Sequence, residues 1–171
     1  MPCGLTTGFL LDCRDSIGGV KAIWIIETAN VSGVTSSAGV ITAIAKANNA
    51  RFWKYLLTRG VGEATEEIQA NEENGTLFWN QSVTIAINKL QAATRNEIIL
   101  LAQNYLSMVV QDRNDKYWYY GKDTGLILSA GGAKTGKAQA DRNGYDLTFT
   151  GGEEDMALEV TSGIIAGLTT P

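Results

Sequence analysis

From Thr76 to Leu90 the chain reads TLFWNQSVTIAINKL. Leu77, Trp79, Val83, Ile85 and Ile87 fall on one parity, and Thr76, Asn80, Ser82, Thr84, Ala86 and Asn88 on the other, with Phe78 the exception. Period-two alternation of this length predicts a long strand with one packed face and one wet, largely uncharged face. Residues 20–28, VKAIWIIET, are apolar on both parities and follow Gly18-Gly19, which predicts a strand buried on both sides and deep in a sheet. Residues 31–39, VSGVTSSAG, are small, polar and glycine-containing, the composition of a mobile surface connection, and a short strand from Val40 to Ala45 follows.

The aromatic stretch RFWKYLLTR, residues 51–59, and the long alternating strand flank GVGEATEEIQANEENG, residues 60–75. That segment holds Glu63, Glu66, Glu67, Glu72 and Glu73 and no basic residue, and it reads as the long acidic connection of a hairpin. One helix is expected, over about 91–106: Thr94 and Glu97 have capping-box spacing, and Ile98, Leu101, Ala102 and Tyr105 recur at helical spacing to cover a sheet. Met108–Gln111 and Tyr117–Tyr120 flank a turn-forming DRND, a hairpin by turn chemistry, with the aromatic YWYY as sheet packing. YDLTFT, residues 145–150, alternates again, and Met156, Leu158 and Val160 suggest its partner strand. Seven to nine strands and one helix make the class mainly β: a sandwich or barrel with the helix laid on the sheet.

Length and composition narrow this further. At 171 residues the chain suits one domain, with an N-terminal arm over about 1–18 and a C-terminal tail over about 162–171. Apolar residues at 44% and charged residues at 19% are ordinary for a folded protein. No apolar run approaches the ~18 residues of a membrane span, and the opening MPCGLTTGFLLDCRD lacks the basic and apolar regions of a signal peptide, so neither is expected. A net charge of −4 disfavours tight binding to a phosphate backbone. Cys3 and Cys13 cannot make a structural zinc site without histidine, of which there is none; reduced thiols or a disulfide both remain open. Lack of histidine also removes Ser-His and Cys-His nucleophiles, and the adjacent acids Glu66-Glu67, Glu72-Glu73 and Glu153-Glu154-Asp155 sit in polar turns without calcium-loop spacing. Neither an enzyme nor a bound cofactor or metal is expected.

One stretch tests that expectation. Residues 131–138, GGAKTGKA, are one substitution from G-x-x-x-x-G-K-[ST], the phosphate-cradling loop. Such a loop requires a helix opening directly after its lysine, so that backbone N–H groups and the helix N-terminus hold the anion. Here AQADRNGYDLTFT follows, with a turn signal at Asn143-Gly144 and then a strand, and Ala138 replaces the hydroxyl that would hold Mg²⁺. The stretch reads as a glycine-rich connection.

The order of elements carries more. Aromatic strand, acidic segment, GTLFWNQSVTIAINKL, helix, DRNDKYWYYG (Asp112 to Gly121) and GKAQADRNGYDLTFTGGE (Gly136 to Glu153) succeed one another. Over roughly residues 20–160 this succession resembles the tail tube proteins of tailed bacteriophages and the tubes of contractile injection systems. The resemblance rests on a D-x-x-G-K-Y-x-x-x-G hairpin, from which Asp115 departs where glycine is usual, and on G-x-a-x-x-D-x-N-G-Y-x-x-x-x-x-G-x-E. It implies a protomer that assembles into rings, commonly hexamers, whose inner strands join into one barrel around a channel, and rings that stack into a tube. It implies as partners further copies of the chain and the tape-measure, tail terminator and tail-tip proteins, with DNA only a transient passenger. The place implied is the virion tail, after assembly in the host bacterial cytoplasm, without membrane insertion. On that reading Thr76, Asn80, Ser82, Thr84 and Asn88 face the lumen, and Glu63, Glu66, Glu67, Glu72 and Glu73 contact a neighbouring subunit or ring. The alternatives are another tail component of related fold, a terminator, connector or baseplate protein, or a small β-sandwich module that binds carbohydrate or protein through Trp53, Trp79 or the YWYY cluster.

Overall fold

The structure is a computed structural model that describes residues 7–11 and 13–171; Cys3, and with it any pairing of the two cysteines, lies outside the described residues. Strands make up 49% of the chain, in two sheets, so the protein is mainly β and sandwich-like. One sheet has seven strands: β1 Val20–Glu27, β2 Val31–Ser37, β3 Val40–Lys46, β4 Trp53–Leu56, β7 Leu106–Asp112, β8 Tyr117–Tyr120 and β11 Leu158–Val160, in the order β2-β3-β11-β8-β7-β1-β4. The other has four: β5 Glu63–Asn71, β6 Thr76–Asn88, β9 Ile127–Lys134 and β10 Gly144–Glu153, in the order β5-β6-β10-β9. Helix α1, Ala92–Gln103, follows β6, and α2, Ile165–Leu168, lies near the C-terminus.

The double-sided apolar pattern of β1 has a direct cause. Ile23 and Ile25 join Val83, Ile85, Met108, Val110, Leu147 and Phe149 between the two sheets. Ala22, Trp24 and Ile26 point the other way into a second core, closed by Ile41, Phe52, Val160, Ile165 and Leu168. The C-terminal segment is therefore a lid on the large sheet. The Phe52 N–H donates to the Leu168 carbonyl at 2.8 Å, and Lys46 Nζ donates to the carbonyls of Gly167, at 2.9 Å, and Thr170.

Four expectations are corrected. Residues 31–37 are strand β2, joined to β3 by a two-residue turn, Ala38-Gly39, with φ of 51° and 81°; this left-handed pair matches strand twist and permits the tight hairpin despite the polar composition. The acidic segment is chiefly strand β5, paired with β6 along its whole length from Glu63↔Thr84 to Asn71↔Thr76, with only residues 72–75 as turn. Leu158–Val160 pairs with β8 and β3 in the large sheet and not with β10, because Val160 is needed in the second core. In α1 the N-cap is Gln91 and no side chain caps the N-terminus, so the Thr94–Glu97 box does not form; Glu97 accepts a hydrogen bond from the Tyr55 hydroxyl at 3.3 Å instead. That helix reaches the core through Ile98 and Leu101, while Ile99, Leu100 and the following Tyr105 are exposed.

Candidate functional site

Directly opposed residues of antiparallel strands present their side chains on the same face, so register alone defines the outer face of the four-stranded sheet. Its rows run Glu63–Thr84–Thr148–Ala130, Thr65–Ser82–Thr150–Ile127 and Glu67–Asn80–Gly152, with Ile127 an exposed apolar exception. Thr84 and Thr148 are linked hydroxyl to hydroxyl at 3.3 Å. Thr76 and Asn88 continue the same parity at the two ends of β6. None of Thr76, Asn80, Ser82, Thr84 and Asn88 is buried. The five polar residues singled out from the sequence thus share one wet face, dominated by hydroxyl and amide groups.

The five glutamates part company. Glu63 and Glu67 lie on that face, Glu72 and Glu73 are exposed in the β5–β6 turn, and Glu66 points inward, where its Oε1 accepts Gln81 Nε2 at 2.8 Å and the Ala157 N–H at 2.7 Å. Gln81 is buried on the apolar parity of β6, and its Oε1 accepts the Gly121 N–H at 2.9 Å. Glu153, 2% exposed, accepts the N–H groups of Asp123 at 2.9 Å, Thr124 at 3.0 Å and Gly125 at 3.0 Å, and the Thr124 hydroxyl at 2.9 Å. Buried carboxylates and amides are tolerated where their lone pairs are filled in this way. Gln81 is not among the residues singled out from the sequence, and the expectation that Glu153 sits in a polar turn is corrected: it ends β10 and is buried, its lone pairs filled by the 123–125 loop. A polar residue on the packed parity between Trp79 and Val83 is the signal for the first; for the second no local pattern announces the loop it caps.

The glycine-rich stretch has an architectural explanation. Gly131 to Lys134 belong to β9, and residues 135–143 form the loop into β10. The Lys137 and Ala138 N–H groups, the ones an anion would use, already donate to Asp141 Oδ2 at 2.8 and 2.9 Å, and those bonds, that from Ala138 first, hold the Asp141 carboxyl below its usual range. Gly136 makes the turn at φ 76°. Asn143 Oδ1 accepts the Leu90 N–H at 3.0 Å, and a side chain at Gly144 would meet the Ile87 carbonyl oxygen at 2.1 Å. Gly136, Asp141, Asn143, Gly144 and Glu153 of the pattern therefore shape the chain. Asp115, standing where the resembled hairpin pattern has glycine, adopts φ 61°, and its carboxylate takes Lys21 and Gln111. Aspartate is among the few non-glycine residues found readily in that conformation.

Charge is unevenly placed around the small sheet. At the β9 side, Lys134 pairs with Asp146 at 2.8 Å and Arg142 contacts the same carboxylate; the Lys134 bond and the Arg142 charge hold Asp146 below the usual carboxylate range. At the opposite edge, β5 and its turn carry the five glutamates. Both β5 and β9 are edge strands with one side unpaired among the described residues. The far half of the β5–β6 hairpin also leaves the body, since Ile68 and Leu77, on the parity that packs lower down, are exposed, as is Phe78 on the other.

Among the described residues no group of three potential metal ligands is assembled and no helix is long and apolar enough to cross a membrane. Of the aromatic platforms considered, Tyr119 and Tyr120 are buried and Trp79 is partly covered. Trp53 is 49% exposed, with the Arg51 guanidinium 4.1 Å from its ring centre. No family model, curated protein or solved structure matches the chain.

Proposed function

We propose that this protein is a structural subunit that associates head to tail into rings, hexameric by the resemblance noted above, and that stacked rings form a phage tail tube through which DNA passes during ejection. The observation that carries this reading is the four-stranded sheet: one wet face and two free edges of unlike charge balance, one with Glu63, Glu67, Glu72 and Glu73 and no basic residue, the other with Lys134, Lys137 and Arg142 mixed with Asp141 and Asp146. Unpaired edges of this length invite pairing with another chain, and closure of many copies into a ring removes them. A wholly acidic edge and an edge that holds cations suit a heterologous contact, and a heterologous contact makes a ring when its rotation closes.

The sheet face then lines the channel. Hydroxyls and amides offer a passing phosphate backbone no fixed cations to hold it, and Lys134 and Arg142 are already engaged by Asp146. The exposed hairpin tip supplies contact between subunits or rings, and the ends of the tube meet tape-measure, terminator and tip proteins in the virion tail. Negative-stain microscopy of the purified chain at rising concentration tests the reading: rings or tubes with an axial channel are expected, and isolated compact particles at every concentration would overturn it.

A further inference from the structure

Two Asn-Gly pairs occur in the chain, Asn74-Gly75 and Asn143-Gly144, and the fold treats them differently. Asn143 is tethered by side chain and backbone. Its Oδ1 accepts the Leu90 N–H at 3.0 Å, its Nδ2 donates to the Thr135 carbonyl at 3.5 Å, and its own carbonyl accepts the Lys89 N–H at 2.7 Å. Gly144 is buried at the head of β10, paired with Asn88 on one side and Lys134 on the other, and so close to β6 that a side chain there would strike the Ile87 carbonyl. Asn74-Gly75 lies instead in the exposed turn between β5 and β6, past the last ladder pair, Asn71↔Thr76. The Asn74 N–H donates to Asn71 Oδ1 at 3.1 Å, but among the described residues nothing bonds the Asn74 side-chain amide or the Gly75 N–H. Gly75 turns at φ 63° with open space on the side where a Cβ would stand.

We infer that Asn74 is a site of spontaneous modification, at which the side-chain amide is converted to a carboxylate, and that the fold protects Asn143 from the same reaction. The Gly75 nitrogen gives up its proton and attacks Asn74 Cγ; the Cγ–Nδ2 bond breaks, ammonia carries that proton away, and a cyclic imide remains. Water then opens the imide at either carbonyl, leaving aspartate or its β-linked isomer. Ring closure joins groups already adjacent in one chain, so its rate is set by how freely they reach the attacking geometry. An uncovered glycine and an untethered amide reach it by local motion alone. At Asn143 the same approach requires the hydrogen bonds and a two-sided ladder to open first, and only the opened fraction reacts. Conversion at Asn74 adds a negative charge beside Glu72 and Glu73, and the β-linked product also lengthens the backbone within the turn. The reaction needs no second copy of the chain, so it stands apart from the assembly reading.

The test holds the dilute full-length protein in mildly alkaline buffer, with and without denaturing urea, and follows both sites by mass spectrometry of tryptic peptides. Asn74 falls in the peptide 60–89 and Asn143 in a separate one beyond Arg142. In the folded protein Asn74 should convert at least about tenfold faster than Asn143. In urea the two rates should converge. Asn74→Gln should remove most of the acidic species that accumulates on ion exchange, and Asn74→Asp should elute with that species from the start. Equal rates in the folded protein would overturn the inference, and so would an Asn74 that converts in urea and stays intact when folded. A difference that persists undiminished in urea would do the same, because local sequence and not the fold would then set the rate.

Discussion

Glu153 shows how much one side chain fixes in this protein. It sits at the end of β10 and gathers four donors from residues 123–125, tying the small sheet to the loop that leaves β8. Replacing it with alanine strands those donors in a buried site and should lower unfolding stability by about 3 kcal/mol, given ~1.5–3 kcal/mol for a hydrogen bond to a charged group and the added cost of unpaired N–H groups. Denaturant titration of Glu153→Ala measures it; a change within error would mean the loop finds other partners. A second consequence concerns alkali. Burial holds the Tyr119 hydroxyl's pKa up to about 12 and, with the charge of Glu97 behind it, pushes Tyr55 up as well. A group whose pKa is raised by folding stabilises the fold fully below its unfolded value, near 10, and that contribution fades as pH climbs through the folded value. Stability should therefore fall between about pH 10 and 12, and Tyr119→Phe should weaken that fall without altering stability at pH 7 by more than about 1 kcal/mol. Denaturation midpoints measured across pH 7–12 would show it, and a flat profile would contradict it.

Elements differ in how far the sequence announces them. β6 and β10 alternate because one face packs between the sheets and the other meets water, so their residues carry the pattern openly. β5 does not, since its inward parity runs Ala64, Glu66, Ile68, Ala70: the inward glutamate is matched by Gln81 and a backbone N–H, and Ile68 lies past the edge of the body. β2 hides for a related reason, being an edge strand with only Val31 and Val34 packed against the second core. The wet face was legible because it needed only β6; the polar network beneath it was not, because its partners come from loops 40 and more residues away in the chain, as with Gln81 and Gly121. The hairpin tip yields an element-scale prediction. Ile68→Asp with Leu77→Asp should shift stability by less than about 1 kcal/mol, as surface changes do, yet move the protein toward smaller species in sedimentation velocity. Unchanged assembly would remove the tip from any interface.

At the scale of the molecule, two cores share one large sheet and leave the small sheet with a packed side and a wet side. What the small sheet presents is a polar face, one acidic edge, one edge of mixed charge and a projecting hairpin. On the proposed reading, other copies of the chain complete this surface. The most direct measurement is cryo-electron microscopy of the assembled protein. The account predicts rings in which β9 of one copy adjoins β5 of the next and Asn80, Ser82, Thr84 and Thr148 line a central channel. An assembly with those side chains on its outer surface, or a chain that stays monomeric at every concentration, would contradict it.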